Sequence, residues 1–157
     1  MDQLRLFNEP QRKYTSDDYW TPKWIFDALG LVFDLDVACP PNGPVHTPCK
    51  HFLTQAEDGL ATPWNGIVFM NPPYSKTTPW VNKWISHGNG IALLPDLNRP
   101  WRTTLYEHAD GIVALPAHMK FDVSDNRRGD IRYSTCLYSI GDQATQALHK
   151  ANIGRVR

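Results

Sequence analysis

Asn71-Pro72-Pro73-Tyr74 brings together residue types that can handle a planar amine. An Asn side chain offers one carbonyl acceptor and one amide donor. Each proline removes a backbone N–H, so the loop presents carbonyls without competing donors. The residue before a proline is driven to extended geometry, which sets where the carbonyls of Asn71 and Pro72 point. Tyr74 adds a flat π-face. Two acceptors beside a stacking ring suit an NH2 carried on a ring, such as adenine N6. That nitrogen is a poor nucleophile because its lone pair is delocalised into the ring. Accepting both of its hydrogens raises its electron density in the transition state, by preorganised electrostatics. A plain Pro-Pro turn with an exposed tyrosine is the simpler reading, so the surrounding chain has to decide.

The elements that must position these residues follow from periodicity and caps. Ile67-Val68-Phe69-Met70 reads as a buried strand that ends at the tetrapeptide. In an open α/β sheet, ligands sit outside the carboxyl ends of the strands, where the tetrapeptide would lie. Thr21 as N-cap, Pro22 at the first helical position and Gly30 just past the end predict a short helix. Leu31 to Val37 alternates apolar and acidic residues as a strand does, and 38–50 is turn-rich. One helical turn or a loop is expected over 54–60. A helix over 78–87, beginning at Pro79, would carry Trp80, Val81, Trp84 and Ile85 on one face. Strands are expected at 91–94, 111–115 and 133–140, and helices at 101–108 and 142–150. Residues 121–132 read as a polar, charged loop, and 1–14 as a loosely held arm. Strands alternating with helices predict an α/β fold with a mostly parallel sheet flanked by helices.

At 157 residues the chain fits one domain over 15–157 with a substantial core. It is 41% hydrophobic and 20% charged, and no apolar run approaches the roughly 18 residues that span a membrane. No secretory signal is visible, and three cysteines favour reduced thiols and the cytosol. Net charge is zero, so any nucleic-acid surface must be local rather than a bulk electrostatic one.

Asp34 and Asp36, at a strand's end before a turn-rich loop, are a second chemical signal. A carboxylate there can hold the amine or hydroxyls of a ligand. The loop after it carries one glycine only, so the glycine-rich phosphate cradle of a dinucleotide fold is absent. Cys39, His46, Cys49 and His51 are spaced C-x6-H-x2-C-x-H, which matches no regular zinc motif, and no metal is expected. Arg127, Arg128 and Arg132 alternate with acids in a loop, and Arg99 and Arg102 follow the strand at 91–94. Such arginines suit phosphate and guanine contacts.

Taken in order, these stretches resemble the amino-group DNA methyltransferases, most closely the small phage-type adenine-N6 enzymes. Tyr19-Trp20-Thr21-Pro22 looks like the family's Thr-Pro segment, and Leu35-Asp36-Val37-Ala38-Cys39 like its Asp-x-Ala segment. Glu57-Asp58-Gly59-Leu60, shortly before Trp64, resembles its Asp-Gly-Leu segment. Asn71-Pro72-Pro73-Tyr74 matches the catalytic motif outright, while Leu93-Leu94-Pro95 and Lys120-Phe121 are weaker matches. The resemblance covers about residues 19–122.

The resemblance implies a Rossmann-like S-adenosylmethionine-dependent methyltransferase fold, and transfer of the sulfonium methyl to a flipped adenine in double-stranded DNA. Asn71, Pro72, Pro73 and Tyr74 would be catalytic. Trp20, Thr21, Pro22, Asp36, Ala38 and Asp58 would hold the cofactor, with Trp20 and Thr21 closing over its amino-acid end. Arg99, Arg102, Lys120, Arg127, Arg128 and Arg132 would face DNA. Only about 80 residues follow Tyr74, so target recognition would come from loops. A host cytoplasm and a phage or prophage origin are implied too. Two other readings use the same residues: methylation of a protein glutamine amide or an RNA base amine, and a non-catalytic DNA-binding module of this fold.

Overall fold

The computed structural model describes residues 19–117, 119–123, 128–130 and 134–157. Its centre is a six-stranded sheet whose inner strands are the apolar runs. In spatial order the strands are β3 (Cys49–Phe52), β2 (Phe33–Asp36), β4 (Val68–Met70), β5 (Gly90–Pro95), β9 (Thr135–Ile140) and β6 (Gly111–Ala114). Strands β3, β2, β4 and β5 pair in parallel, and β9 runs antiparallel to both β5 and β6. All six residues of β5 and of β9 are buried, because helices cover both faces. The mostly parallel α/β fold read from the sequence is what forms.

Alternate residues of the strands feed two cores. Val68, Met70, Ala92 and Leu94 pack with Trp80, Val81 and Trp84 of α2 (Thr77–His87) and Trp101 and Leu105 of α3 (Pro100–His108). Ile67, Phe69, Ile91 and Leu93 pack on the other face, with Ile25, Phe26 and Leu29 of α1 (Lys23–Leu29) and Ala144 and Leu148 of α4 (Asp142–Lys150). Burying each such large side chain stabilises the fold by about 1.5–3 kcal/mol.

One bulge interrupts the alternation. Asp34 and Leu35 both donate their N–H to the Ile67 carbonyl, at 2.8 and 3.4 Å. Two residues of β2 thus oppose one of its neighbour, which bends the strand and resets its faces. Phe33 accordingly packs in the α1 core while Leu35 packs in the α2–α3 core.

The structure moves several sequence-based boundaries. The N-cap of α1 is Pro22, not Thr21; Pro22 holds φ −62 and ψ 144, and Thr21 is buried one residue earlier. Gly30 closes the helix at φ +62, donating its N–H to the Phe26 carbonyl at 3.0 Å. Helix α2 begins at Thr77 rather than at Pro79, which leaves Pro79 in the first turn, where its missing N–H is no loss. Strand β3 lay unread in the sequence.

The expected loop at 121–132 instead holds β7 (Lys120–Val123) and β8 (Arg128–Asp130). They pair with β1 (Tyr19–Trp20) in a small antiparallel sheet, β1-β7-β8. Phe121 is buried and packs edge-on against Tyr19, with ring centroids 6.2 Å apart. The expected arm at 1–14 lies outside the described residues. At the far rim, Ile112 and Arg157 exchange two backbone hydrogen bonds, of 2.8 and 2.9 Å, so the tail runs along β6. No helix of the described residues is long and apolar enough to cross a membrane.

Candidate active site

The tetrapeptide leaves the carboxyl end of β4 as a stiff turn. Pro72 is buried and Asn71 half-buried. Pro73 caps a single 3-10 turn, Tyr74–Lys76, and its carbonyl accepts from the Lys76 N–H at 3.1 Å. The Thr77 hydroxyl donates to the Tyr74 carbonyl at 3.1 Å and ties that turn to the start of α2. Behind the loop, Asn71 Nδ2 donates to Thr21 Oγ1 at 3.1 Å. The amide nitrogen is engaged within the protein, which leaves the side-chain carbonyl to serve as an acceptor.

In front of the turn lies a cleft of about 430 Å³, between Tyr74–Pro79 and the segment Leu97–Trp101. Arg99 is exposed on the wall opposite Tyr74. Arg102 turns back from it: its Nε lies 2.6 Å from Asp96 Oδ1, and its guanidinium sits 5.1 Å from the centre of the Tyr106 ring. Lys120 and Arg128 stand in the paired strands of the small sheet, while Arg127 and Arg132 lie outside the described residues.

The carboxyl end of the neighbouring β2 carries Asp36, only 3% exposed. Burial pushes its carboxyl up to about 6, against the opposing pull of hydrogen bonds from the Thr47 side chain and the Ala38 N–H. The Ala38 bond measures 3.3 Å. Asp34, two residues earlier, does a different job. It accepts from Lys50 Nζ at 2.8 Å and from the Ile67 N–H at 2.9 Å, and the two together hold its carboxyl below the usual range. Asp34 is a latch across β3, β2 and the bulge.

Asp58 adopts a left-handed conformation at φ +53, and its Oδ1 accepts from the Leu60 and Ala61 N–H groups at 3.2 and 3.3 Å. Next to it, Gly59 passes so close to β2 that a Cβ there would stand 2.2 Å from the Val37 carbonyl. Only glycine permits this approach, and it seats the Asp58 loop on the end of β2. Two residues that the sequence did not point to clamp the loop. Trp64 Nε1 donates to the Gly59 carbonyl at 2.8 Å, and Lys83 Nζ donates to the carbonyls of Gly59 and Leu60 at 3.0 and 2.9 Å. Lys83 also lies 4.7 Å from the centre of the Trp64 ring, which stacks on Trp80. The available signal was a lone lysine beside the tryptophans on the apolar face of α2.

Trp20 in β1 and Pro22 at the head of α1 flank Thr21. The three cysteines are free thiols whose acidity is lowered by burial first, so they stay protonated and are not activated nucleophiles. Among the described residues no three His, Cys, Asp or Glu side chains converge on a metal-binding position.

A family model described as DNA N-6-adenine-methyltransferase (Dam) matches residues 10–131. The chain belongs to the Dam family. Its match to a DNA N-6-adenine-methyltransferase of Haemophilus phage HP1 is 32% identical over 122 residues, 70% of this chain and 69% of the relative. A DNA N-6-adenine-methyltransferase of Escherichia phage T1 is 31% identical over 131 residues, 79% of this chain and 52% of the relative. No solved structure matches. The matched span contains every Dam-like segment read from the sequence, from Thr21-Pro22 through Asn71-Tyr74 to Lys120.

Proposed function

We propose that the chain methylates N6 of adenine in double-stranded DNA with S-adenosylmethionine as donor, acting in a bacterial cytoplasm. A single catalytic domain over 15–157 would read its target through loops. The observation that carries this reading is the Asn71-Pro72-Pro73-Tyr74 turn, with its amide held from behind and its tyrosine on the cleft wall. Family membership and the names of the two phage relatives support the same chemistry.

The residues at the end of β2 fit the cofactor's charge. A carboxylate as buried as Asp36 is costly to ionise alone, and a cationic group such as the cofactor's ammonium offsets that cost. Asp58, exposed beside it, can accept from ribose or adenine groups, and Trp20, Pro22 and Ala38 line the approach. Bound S-adenosylmethionine supplies an electrophilic methyl group on a sulfonium.

The protein's own residues handle the acceptor. Asn71 Oδ1 and the Pro72 carbonyl accept the two N6 hydrogens, and Tyr74 stacks on the flipped ring. Arg99 meets the DNA backbone at the cleft wall. Much of the acceleration comes from holding two substrates in line, the base on the turn and the cofactor at the end of β2.

The test is transfer of labelled methyl from S-adenosylmethionine to unmethylated duplex DNA, with the modified base identified by mass spectrometry. N6-methyladenine is expected. Asn71→Ala should lower kcat by at least about 100-fold while cofactor binding stays intact. Label in a glutamine amide or an RNA base, with none in DNA, would replace the acceptor.

A further inference from the structure

The hydroxyl of Thr21 faces the catalytic loop. Thr21 is 6% exposed, and its Oγ1 is the acceptor for Asn71 Nδ2 at 3.1 Å, across fifty positions of sequence. Its backbone is fixed on both sides. Before it, Tyr19 and Trp20 pair with Val123 and Asp122 of β7. After it, the buried Pro22 starts α1, its carbonyl accepting from the Ile25 N–H at 3.2 Å. A side chain on so constrained a backbone can hold another side chain in register.

An Asn amide has two faces of opposite hydrogen-bond character, and rotation about its last bond exchanges them. With Nδ2 turned outward, a donor would meet the donors of an amine. With Oδ1 outward, an acceptor meets them. We propose that Thr21 is a positioning residue that holds the Asn71 amide in place by accepting from Nδ2, the orientation that leaves Oδ1 for the acceptor amine. This rests on the methyltransferase reading above. It departs from the role in binding the cofactor's amino-acid end that the Thr-Pro resemblance implied.

Thr21 and Pro22 are both buried, and valine matches the volume of threonine with a methyl in place of the hydroxyl. The effect of Thr21→Val is therefore the loss of one acceptor for Asn71 rather than a cavity.

The experiment compares wild type, Thr21→Val and Thr21→Ser in kcat, in cofactor Kd by calorimetry, and in the side-chain amide resonance of Asn71. That resonance is identified by its disappearance in Asn71→Ala. Thr21→Val should lower kcat by about 10- to 100-fold, with cofactor Kd unchanged within about 2-fold. Thr21→Ser, which keeps the hydroxyl, should restore most of kcat. Exchange of the Asn71 amide hydrogens with water should be slow in wild type and in the serine variant, and faster in the valine variant. Thr21→Ala repeats the comparison if valine is not accommodated, with thermal melting as the check on folding.

A valine variant with wild-type kcat overturns the proposal. So does one whose whole defect lies in cofactor Kd, which would return Thr21 to the cofactor. Should wild type place no methyl on DNA adenine, the methyltransferase reading fails. The amide exchange still decides the Thr21–Asn71 link by itself, and rates equal in all three proteins overturn it.

Discussion

The carboxyl ends of β2 and β4 are neighbours in one sheet, and they are stiffened in opposite ways. At β4, stiffness comes mainly from the chain itself, through two prolines and a 3-10 turn, and one long-range side-chain bond to Thr21 adds to it at Asn71. At β2, it comes from packing: a buried carboxylate at Asp36, and a glycine whose backbone presses on the Val37 carbonyl. The first arrangement presents acceptors and carries no net charge. The second keeps a carboxyl out of water. Under the proposed function the two ends divide the labour, with geometry at β4 and charge at β2.

Substitutions at the two ends should separate these roles. Asp36→Asn should weaken cofactor binding by about 10- to 100-fold at pH 7, since a hydrogen bond to a charged group is lost. Its titration supplies a second test with a definite sign. Burial pushes the folded carboxyl up to about 6, above its ordinary value of 3.8. In the free protein this acts against folding by on the order of 3 kcal/mol above pH 6, and the penalty vanishes as pH falls from 6 towards 4. Under the proposed role of Asp36 the cofactor's ammonium pairs with the carboxylate, so its affinity should run the other way and drop as pH falls through about 6. Calorimetry from pH 5 to 8 checks this, and pH-independent affinity would remove Asp36 from the cofactor site.

Gly59→Ala should come next in size. The added methyl meets a backbone oxygen at 2.2 Å and the Trp80 ring at 2.7 Å. Overpacking of this kind costs about 1–3 kcal/mol, read as a fall in Tm. If the loop shifts to make room, cofactor Kd rises while kcat at saturating cofactor holds, because Asn71 is anchored elsewhere. A matched fall in kcat would mean that the two ends are not separable.

The smallest effect is expected at Arg99→Ala. Losing one phosphate contact should weaken DNA binding by a similar factor for all sequences, and reduce the slope of log affinity against log salt by about 1. An unchanged slope would move the DNA path away from this wall of the cleft.

Much of this architecture was legible in the sequence where physics acts locally. The runs at 67–70 and 91–94 are apolar because both faces of those strands are covered, and Gly30 marks a helix end by its left-handed geometry. The edge strand β3 was hidden because three of its four residues are exposed, so Cys-Lys-His-Phe carries no pattern. The hairpin of β7 and β8 was hidden because its third strand comes from a hundred residues earlier. The place of the tetrapeptide at the end of β4 could be read from its prolines and the apolar run before it. Its bond to Thr21, the bulge at Asp34 and the clamp by Lys83 could not, since each depends on where the backbone brings distant positions together.

The tail that runs along β6 bears on behaviour in a crowded solution. An open sheet has two rims, each a row of unpaired backbone groups that can recruit another chain. Here the β3 rim is short and carries Lys50 and His51, while the β6 rim is covered through Ile112 and Arg157. The cover on the β6 rim thus comes from a segment remote from the cleft. Deleting residues 152–157 would expose a rim on which aggregates can seed, even in an enzyme whose catalytic turn is intact.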